Sequence, residues 1–184
     1  MRHLEVITGP MYAGKSEELI RRLNRYKIGN KKVFVIGPDI DNRYGEGKIF
    51  SHNGNAFECT VIPTIGEAVE IPDDTDVIAF DEAQFFESRW LLGSIYDCLD
   101  NGFTVIAAGL DMDFRRQPFG AMPSLLAMAK DVTKLTAVCQ VCGEDAIYTQ
   151  RLVDDKPAPY EGETVIVGGK EQYEARCEKC WRKE

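Results

Sequence analysis

Nowhere among the 184 residues is there an apolar run approaching the ~18 consecutive side chains that a membrane-crossing helix needs. Internal repeats and low-complexity tracts are absent too, which excludes solenoid arrays and compositionally driven disorder. Positive charge is scarce. The 22 Lys and Arg residues face 30 Asp and Glu, a formal net charge of -8, which disfavours wrapping a nucleic-acid backbone. Neither a membrane nor a nucleic acid is therefore expected as a partner. Met1-Arg2-His3-Leu4-Glu5 leads into strand-like sequence rather than a secretory leader, so a cytoplasmic, reducing location is expected. In that setting the six cysteines are not expected to form disulfides.

The composition that remains, 44% hydrophobic and 28% charged, is that of a soluble globular protein. Its length suits one main domain with a small appendage.

Residues 7–16 read Ile-Thr-Gly-Pro-Met-Tyr-Ala-Gly-Lys-Ser. Gly9, Gly14, Lys15 and Ser16 fit G-x-x-x-x-G-K-[ST], the phosphate-binding loop. Glycines let successive N–H groups turn toward phosphate oxygens. The lysine neutralises the β- and γ-phosphates, and the serine hydroxyl is suited to Mg²⁺. The context agrees: Leu4-Glu5-Val6-Ile7 is strand-like, and Leu19, Ile20, Leu23 and Tyr26 recur at helical spacing before Gly29-Asn30. The plainer alternative is an ordinary glycine-containing strand-to-helix turn.

Further along, strands are expected at 32–36, 57–62, 77–80, 103–110 and 134–138, and helices at 65–70, 88–99 and 123–130. Thr64 and Glu67 form a candidate capping box for the first of these helices. Residues 39–55 make a long polar, glycine-rich connection of the kind that is functional or mobile. Continuous apolar strands alternating with helices predict an α/β fold with a mainly parallel sheet covered on both faces. Ligands of such sheets bind beyond the carboxyl ends of the strands, where residues 9–16, 81–86 and 111–119 fall.

The strand at 77–80 ends in Asp81-Glu82. An acidic residue there serves phosphate-loop proteins as a partner of the Mg²⁺ shell; alternatively, Asp81 caps the next helix. Glu82 could orient a water, as in an ATPase, or accept a hydroxyl proton, as in a kinase. Phe85, Phe86, Phe114 and Phe119 follow strand ends and are either core or a sandwich for a planar base.

Cys139-Gln140-Val141-Cys142 and Cys177-Glu178-Lys179-Cys180 are paired C-x-x-C motifs, best explained by a structural tetrahedral Zn²⁺, with a redox dithiol as the alternative. The interval between them is expected to hold a hairpin, with one arm at 146–153, a loop at 154–162 and a return at 164–167. Cys59 and Cys98 read as buried thiols.

Taken together, residues 9–16, Asp41-Asn42-Arg43-Tyr44, Asp81-Glu82-Ala83-Gln84-Phe85-Phe86, Phe114-Arg115-Arg116-Gln117-Pro118-Phe119, the run 135–139 and the paired cysteines resemble the type II thymidine kinases, in the family's order along nearly the whole chain. The resemblance implies a RecA-like P-loop ATP-binding domain (1–138) and a zinc-binding domain (139–184) whose lasso loop closes over the nucleoside. It implies transfer of the γ-phosphoryl of ATP to the 5′-hydroxyl of thymidine, with Mg²⁺, inhibition by dTTP and a homotetramer.

Carried over residue by residue, the resemblance makes Glu82 the general base. Nucleotide contacts fall to Gly9, Pro10, Met11, Tyr12, Ala13, Gly14, Lys15, Ser16, Asp41, Asn42, Arg43, Asp81 and Gln84, with Ser16 and Asp81 serving Mg²⁺. The nucleoside pocket falls to Met11, Phe85, Leu110, Phe114, Phe119, Thr149, Thr164, Val165, Ile166, Val167, Gly168 and Tyr173. Zinc falls to Cys139, Cys142, Cys177 and Cys180, and Arg43 or Arg116 is available to hold charge on the transferring phosphoryl. Two other classes stay open. Asp-Glu-Ala-Gln (81–84) also resembles motif II of nucleic-acid-dependent ATPases, and the cysteines fit a zinc-ribbon binding module with a degenerate nucleotide site.

Overall fold

The computed structural model describes residues 3–40, 47–50, 56–162, 164 and 172–183, with the backbone alone at Phe50. Strand β1 (Leu4–Thr8) enters the phosphate loop, and helix α1 (Lys15–Ile28) leaves it. Strand β2 spans Val33–Pro38, and a short antiparallel pair, β3 (Lys48–Phe50) and β4 (Ala56–Glu58), precedes β5 (Thr60–Ile62). Then come β6 (Val77–Phe80), a 3₁₀ turn at Ala83–Phe85, α2 (Ser88–Asp100), β7 (Thr104–Gly109), α3 (Met122–Met128) and β8 (Asp131–Lys134). Six of these strands form one sheet in the order β5-β2-β6-β7-β1-β8, every pair parallel.

Alternation along the strands divides their apolar residues between the two faces. Val6, Ile78, Phe80, Val105 and Ala107 join Leu91 and Ile95 of α2 and Met122 and Leu125 of α3 in one core. Ile7, Val77, Ala79, Ile106 and Ala108 join Leu19, Ile20 and Leu23 of α1 in the other. This two-faced burial is why the strands read as continuous apolar runs, and the α/β fold with a mainly parallel sheet is as expected.

The remainder of the chain forms small antiparallel ladders. Strand β9 (Ala137–Val138) pairs with β10 (Asp145–Ala146), and β11 (Tyr148–Val153) lies between β12 (Lys156–Pro157) and β13 (Gln172–Arg176). Asp154 and Asp155, both with positive φ, make the turn from β11 to β12.

Several boundaries differ from expectation. No helix forms at 65–70. Thr64 instead accepts from the Glu87 amide at 2.7 Å, and Gly66 turns at φ +79 against the Trp90 ring, where any Cβ would collide. Val69 and Ile71 then pack on the core from a segment without regular secondary structure. The expected strand at 57–62 is two strands, broken at Cys59, whose amide bonds the Gly47 carbonyl at 2.8 Å. Similarly, 134–138 is divided between β8 in the main sheet and β9 beside the cysteines. The partner of β11 at its long edge is β13, whereas most of the expected return at 164–167 lies outside the described residues. Among the described residues, no helix is long and apolar enough to cross a membrane.

Candidate active site

The ends of three neighbouring strands supply the site. At the end of β1 the loop turns through Gly9 (φ +145), Tyr12 (φ +65) and Gly14 (φ +81). Gly9 is required sterically, because a Cβ there would overlap the Leu135 carbonyl. Helix α1 begins at Lys15 and Ser16, with the Glu18 amide bonding Gly14 O at 3.0 Å. Lys15 folds back, its Nζ donating to the Pro10 carbonyl at 2.8 Å. Burial pushes its ammonium below the ordinary lysine range, against the opposing pull of Glu82, Asp81 and Asp111. Those three carboxylates follow β6 and β7. Asp111 is also held by Lys134 at 2.7 Å, which joins the ends of β7 and β8.

Glu82 adopts a left-handed backbone conformation (φ +48) at the start of the 3₁₀ turn. Beneath it, Gln84 is buried, donating from Nε2 to Glu82 Oε2 at 2.6 Å and accepting at Oε1 from the Leu110 amide at 3.0 Å.

One cavity brings Lys15 and Glu82 together with Met11, Phe85, Leu110, Phe114, Phe119, Thr149, Thr164 and Tyr173. All eight were expected at a nucleoside. Phe85 and Phe119 meet edge to face at 5.5 Å between centroids. Met112 and Asp113 also line the cavity and were missed, because they read as part of a charged loop. Arg151 was missed as well: it is 1% exposed, and its guanidinium lies 3.7 Å over the Phe114 ring. Arg116 stacks on Tyr148 at 4.0 Å and on Trp181 at 5.1 Å, and pairs with Glu178 at 3.1 Å. Asp41, Asn42, Arg43 and Tyr44, with Val165, Ile166, Val167 and Gly168, lie outside the described residues.

A family model described as thymidine kinase matches residues 2–181. The chain belongs to the thymidine kinase family. Membership makes it a nucleoside kinase, a phosphotransferase, and sets aside the motor ATPase and binding-module readings of Asp81–Gln84 and the cysteines.

The thymidine kinase family match extends over the four cysteines. Sγ atoms of Cys139, Cys142, Cys177 and Cys180 lie within 4.8 Å of one another, with Cys142 and Cys177 3.5 Å apart. Four thiolates about 2.3 Å from a tetrahedral zinc would stand about 3.8 Å apart, so the donor set and its spacing fit structural zinc. Convergence of all four sulfurs fits a metal better than a dithiol, which uses two. Ala137, Ala146 and Ala175 complete a small core around the cysteines, against which Ala13 of the phosphate loop packs.

Proposed function

We propose that the protein transfers the γ-phosphoryl of ATP to the 5′-hydroxyl of thymidine, and of deoxyuridine, giving the 5′-monophosphate for deoxynucleotide salvage. One observation carries the reading: Lys15 and Glu82 share a single cavity with three phenylalanines, two threonines and Tyr173. A phosphate-neutralising cation, a carboxylate and a base-sized aromatic wall are thereby adjacent.

In this reading the amides of residues 9–16 and Lys15 hold the phosphates of ATP. Ser16 and Asp81 hold Mg²⁺, which when bound supplies charge neutralisation at the phosphates. Asp41, Asn42 and Arg43 lie near the nucleotide. Glu82 takes the 5′-hydroxyl proton as that oxygen attacks phosphorus in line. Phe85, Phe114 and Phe119 flank the base, Thr149, Thr164, residues 165–168 and Tyr173 form the lasso side, and Met11 with Leu110 receives the 5-methyl group. One methyl contact is worth about 1–3 kcal/mol, so deoxyuridine remains a substrate. Residues 139–184 act as a zinc-stabilised lasso domain on the ATP-binding domain of residues 1–138. A cytoplasmic homotetramer inhibited by dTTP completes the reading.

The test is transfer from labelled ATP, in Mg²⁺, to a panel of nucleosides with a no-acceptor control. Labelled thymidine monophosphate, less from deoxyuridine and none from purine nucleosides, is the expected result. ATP hydrolysis without a phosphorylated nucleoside would overturn it. Glu82→Gln is expected to bind both ligands and lose 10²–10⁴-fold in turnover, the usual contribution of a general base.

A further inference from the structure

We propose that Gln84 is the positioning residue for Glu82: its buried amide fixes which carboxylate oxygen receives the substrate proton. This rests on the reading of Glu82 as the base.

Glu82 sits at φ +48, a conformation that L-residues avoid, so its direction depends on what surrounds it. The amide of Phe85 bonds the Glu82 carbonyl at 3.0 Å, closing the turn that brings Gln84 beneath Glu82. Gln84 is 2% exposed. Its orientation follows from valence. The Leu110 amide can only donate, so the atom 3.0 Å from it is the side-chain oxygen, and the –NH₂ faces Glu82 Oε2 at 2.6 Å. A donor there occupies Oε2, leaving Oε1 for the proton.

Two glycines make the slot. A Cβ on Gly109 would stand 2.5 Å from the Gln84 Oε1 and 3.0 Å from the Met122 sulfur. Gly120 (φ +52) passes so close to the Gln84 carbonyl that a Cβ would overlap it. Leu110, whose amide holds Gln84, itself lines the cavity beside Glu82. One side chain thus sets the base relative to the nucleoside wall, where misplacement by about 1 Å costs on the order of 100-fold in rate.

In the step served, a bond forms between the 5′-oxygen and the γ-phosphorus. The bond from that phosphorus to the bridging oxygen breaks, its electron pair leaves with ADP, and the hydroxyl proton goes to Glu82 Oε1.

The experiment compares Gln84→Met, Gln84→Glu and Glu82→Gln with the parent chain in kcat, KM for ATP and thymidine, and thermal midpoint. Methionine keeps length without donating. It is expected to lower kcat by about 10–100-fold and leave both KM values within about threefold. Glutamate keeps the acceptor for Leu110 but offers no amide donor to Glu82, and kcat is expected to fall at least as far. A parental kcat in Gln84→Met, with Glu82→Gln inactive, would overturn the positioning role alone. So would a raised KM for ATP with kcat unchanged, which would mark Gln84 as a nucleotide contact. If Gln84→Met fails to fold, a parental kcat in Gln84→Glu overturns the proposal. Turnover retained by Glu82→Gln would instead remove the base itself.

Discussion

The main-chain N–H of Met11 donates to the Thr149 hydroxyl at 3.0 Å, a bond that spans 138 residues of sequence. It ties the phosphate loop to strand β11, and the packing of Ala13 on the small cysteine core makes a second tie nearby. The cavity that brings Lys15 and Glu82 together with Phe114 and Tyr173 therefore draws on both parts of the chain.

Thr149→Val keeps the shape of the side chain and removes the acceptor for Met11. An amide left without a partner costs about 1–3 kcal/mol, so the thermal midpoint should fall by several degrees. Because Met11 and Thr149 both line the cavity, KM for thymidine is expected to rise as well. Calorimetry and steady-state kinetics on the same preparation check both.

Metal analysis should find one zinc per chain. The core at the cysteines consists chiefly of alanines, too small to hold its ladders alone. Chelation, or Cys142→Ser, is expected to release the metal, lower the unfolding midpoint and abolish nucleoside binding as followed by titration calorimetry. Retained stability in metal-free protein would contradict the ligand assignment.

Arg116→Ala should chiefly affect stability. The guanidinium stacks on Tyr148 and Trp181 and donates to the Tyr148 hydroxyl at 2.8 Å. Loss of these contacts is expected to cost about 1–2 kcal/mol in denaturant unfolding. Turnover should stay within about tenfold of the parent, since the guanidinium is held by Tyr148, Trp181 and Glu178; a larger loss would assign Arg116 to the transferring phosphoryl.

Acid should destabilise the fold through two glutamates on one arginine. Hydrogen bonding from Arg21 holds the Glu18 carboxyl down at about 2, with Arg22 assisting against burial. Burial alone would raise Glu5, but Tyr26, Arg22 and His3 outweigh it and keep it below the ordinary 4.5. Lowered carboxylates contribute stability that is complete above the unfolded value near 4.5 and lost as pH falls through the folded values. Thermal midpoints are therefore expected to decline between pH 4.5 and about 2, and less steeply in Glu18→Gln.

The phosphate loop was legible because its chemistry is local: glycines, lysine and serine at fixed spacing do the same work in any sheet of this kind. The parallel sheet was legible from runs such as Val77–Phe80, which only a strand buried on both faces tolerates. What escaped depends on contacts between distant residues. Thr64 and Glu67 carry the pattern of a capping box, but Trp90 occupies the space over Gly66, and no helix forms. Strand β13 buries few of its residues and so lacks the alternation of a half-buried strand, whereas its partner β11 falls within the arm expected at 146–153. A charged residue such as Arg151 reads as exposed until Phe114, from another loop, is seen beneath it.

The position of β1 also governs how the chain comes together in time. Strand β1 lies between β7 and β8, both of which come much later in the chain, and Thr8 bonds a carbonyl 101 residues downstream. On the ribosome its apolar residues must wait for most of the chain to emerge before either edge is covered. Folding should accordingly be slow and dominated by non-local pairing, with the nascent chain open to aggregation or chaperone capture until then. Because Leu135 closes over Gly9, the phosphate loop is completed only after the chain has passed residue 135.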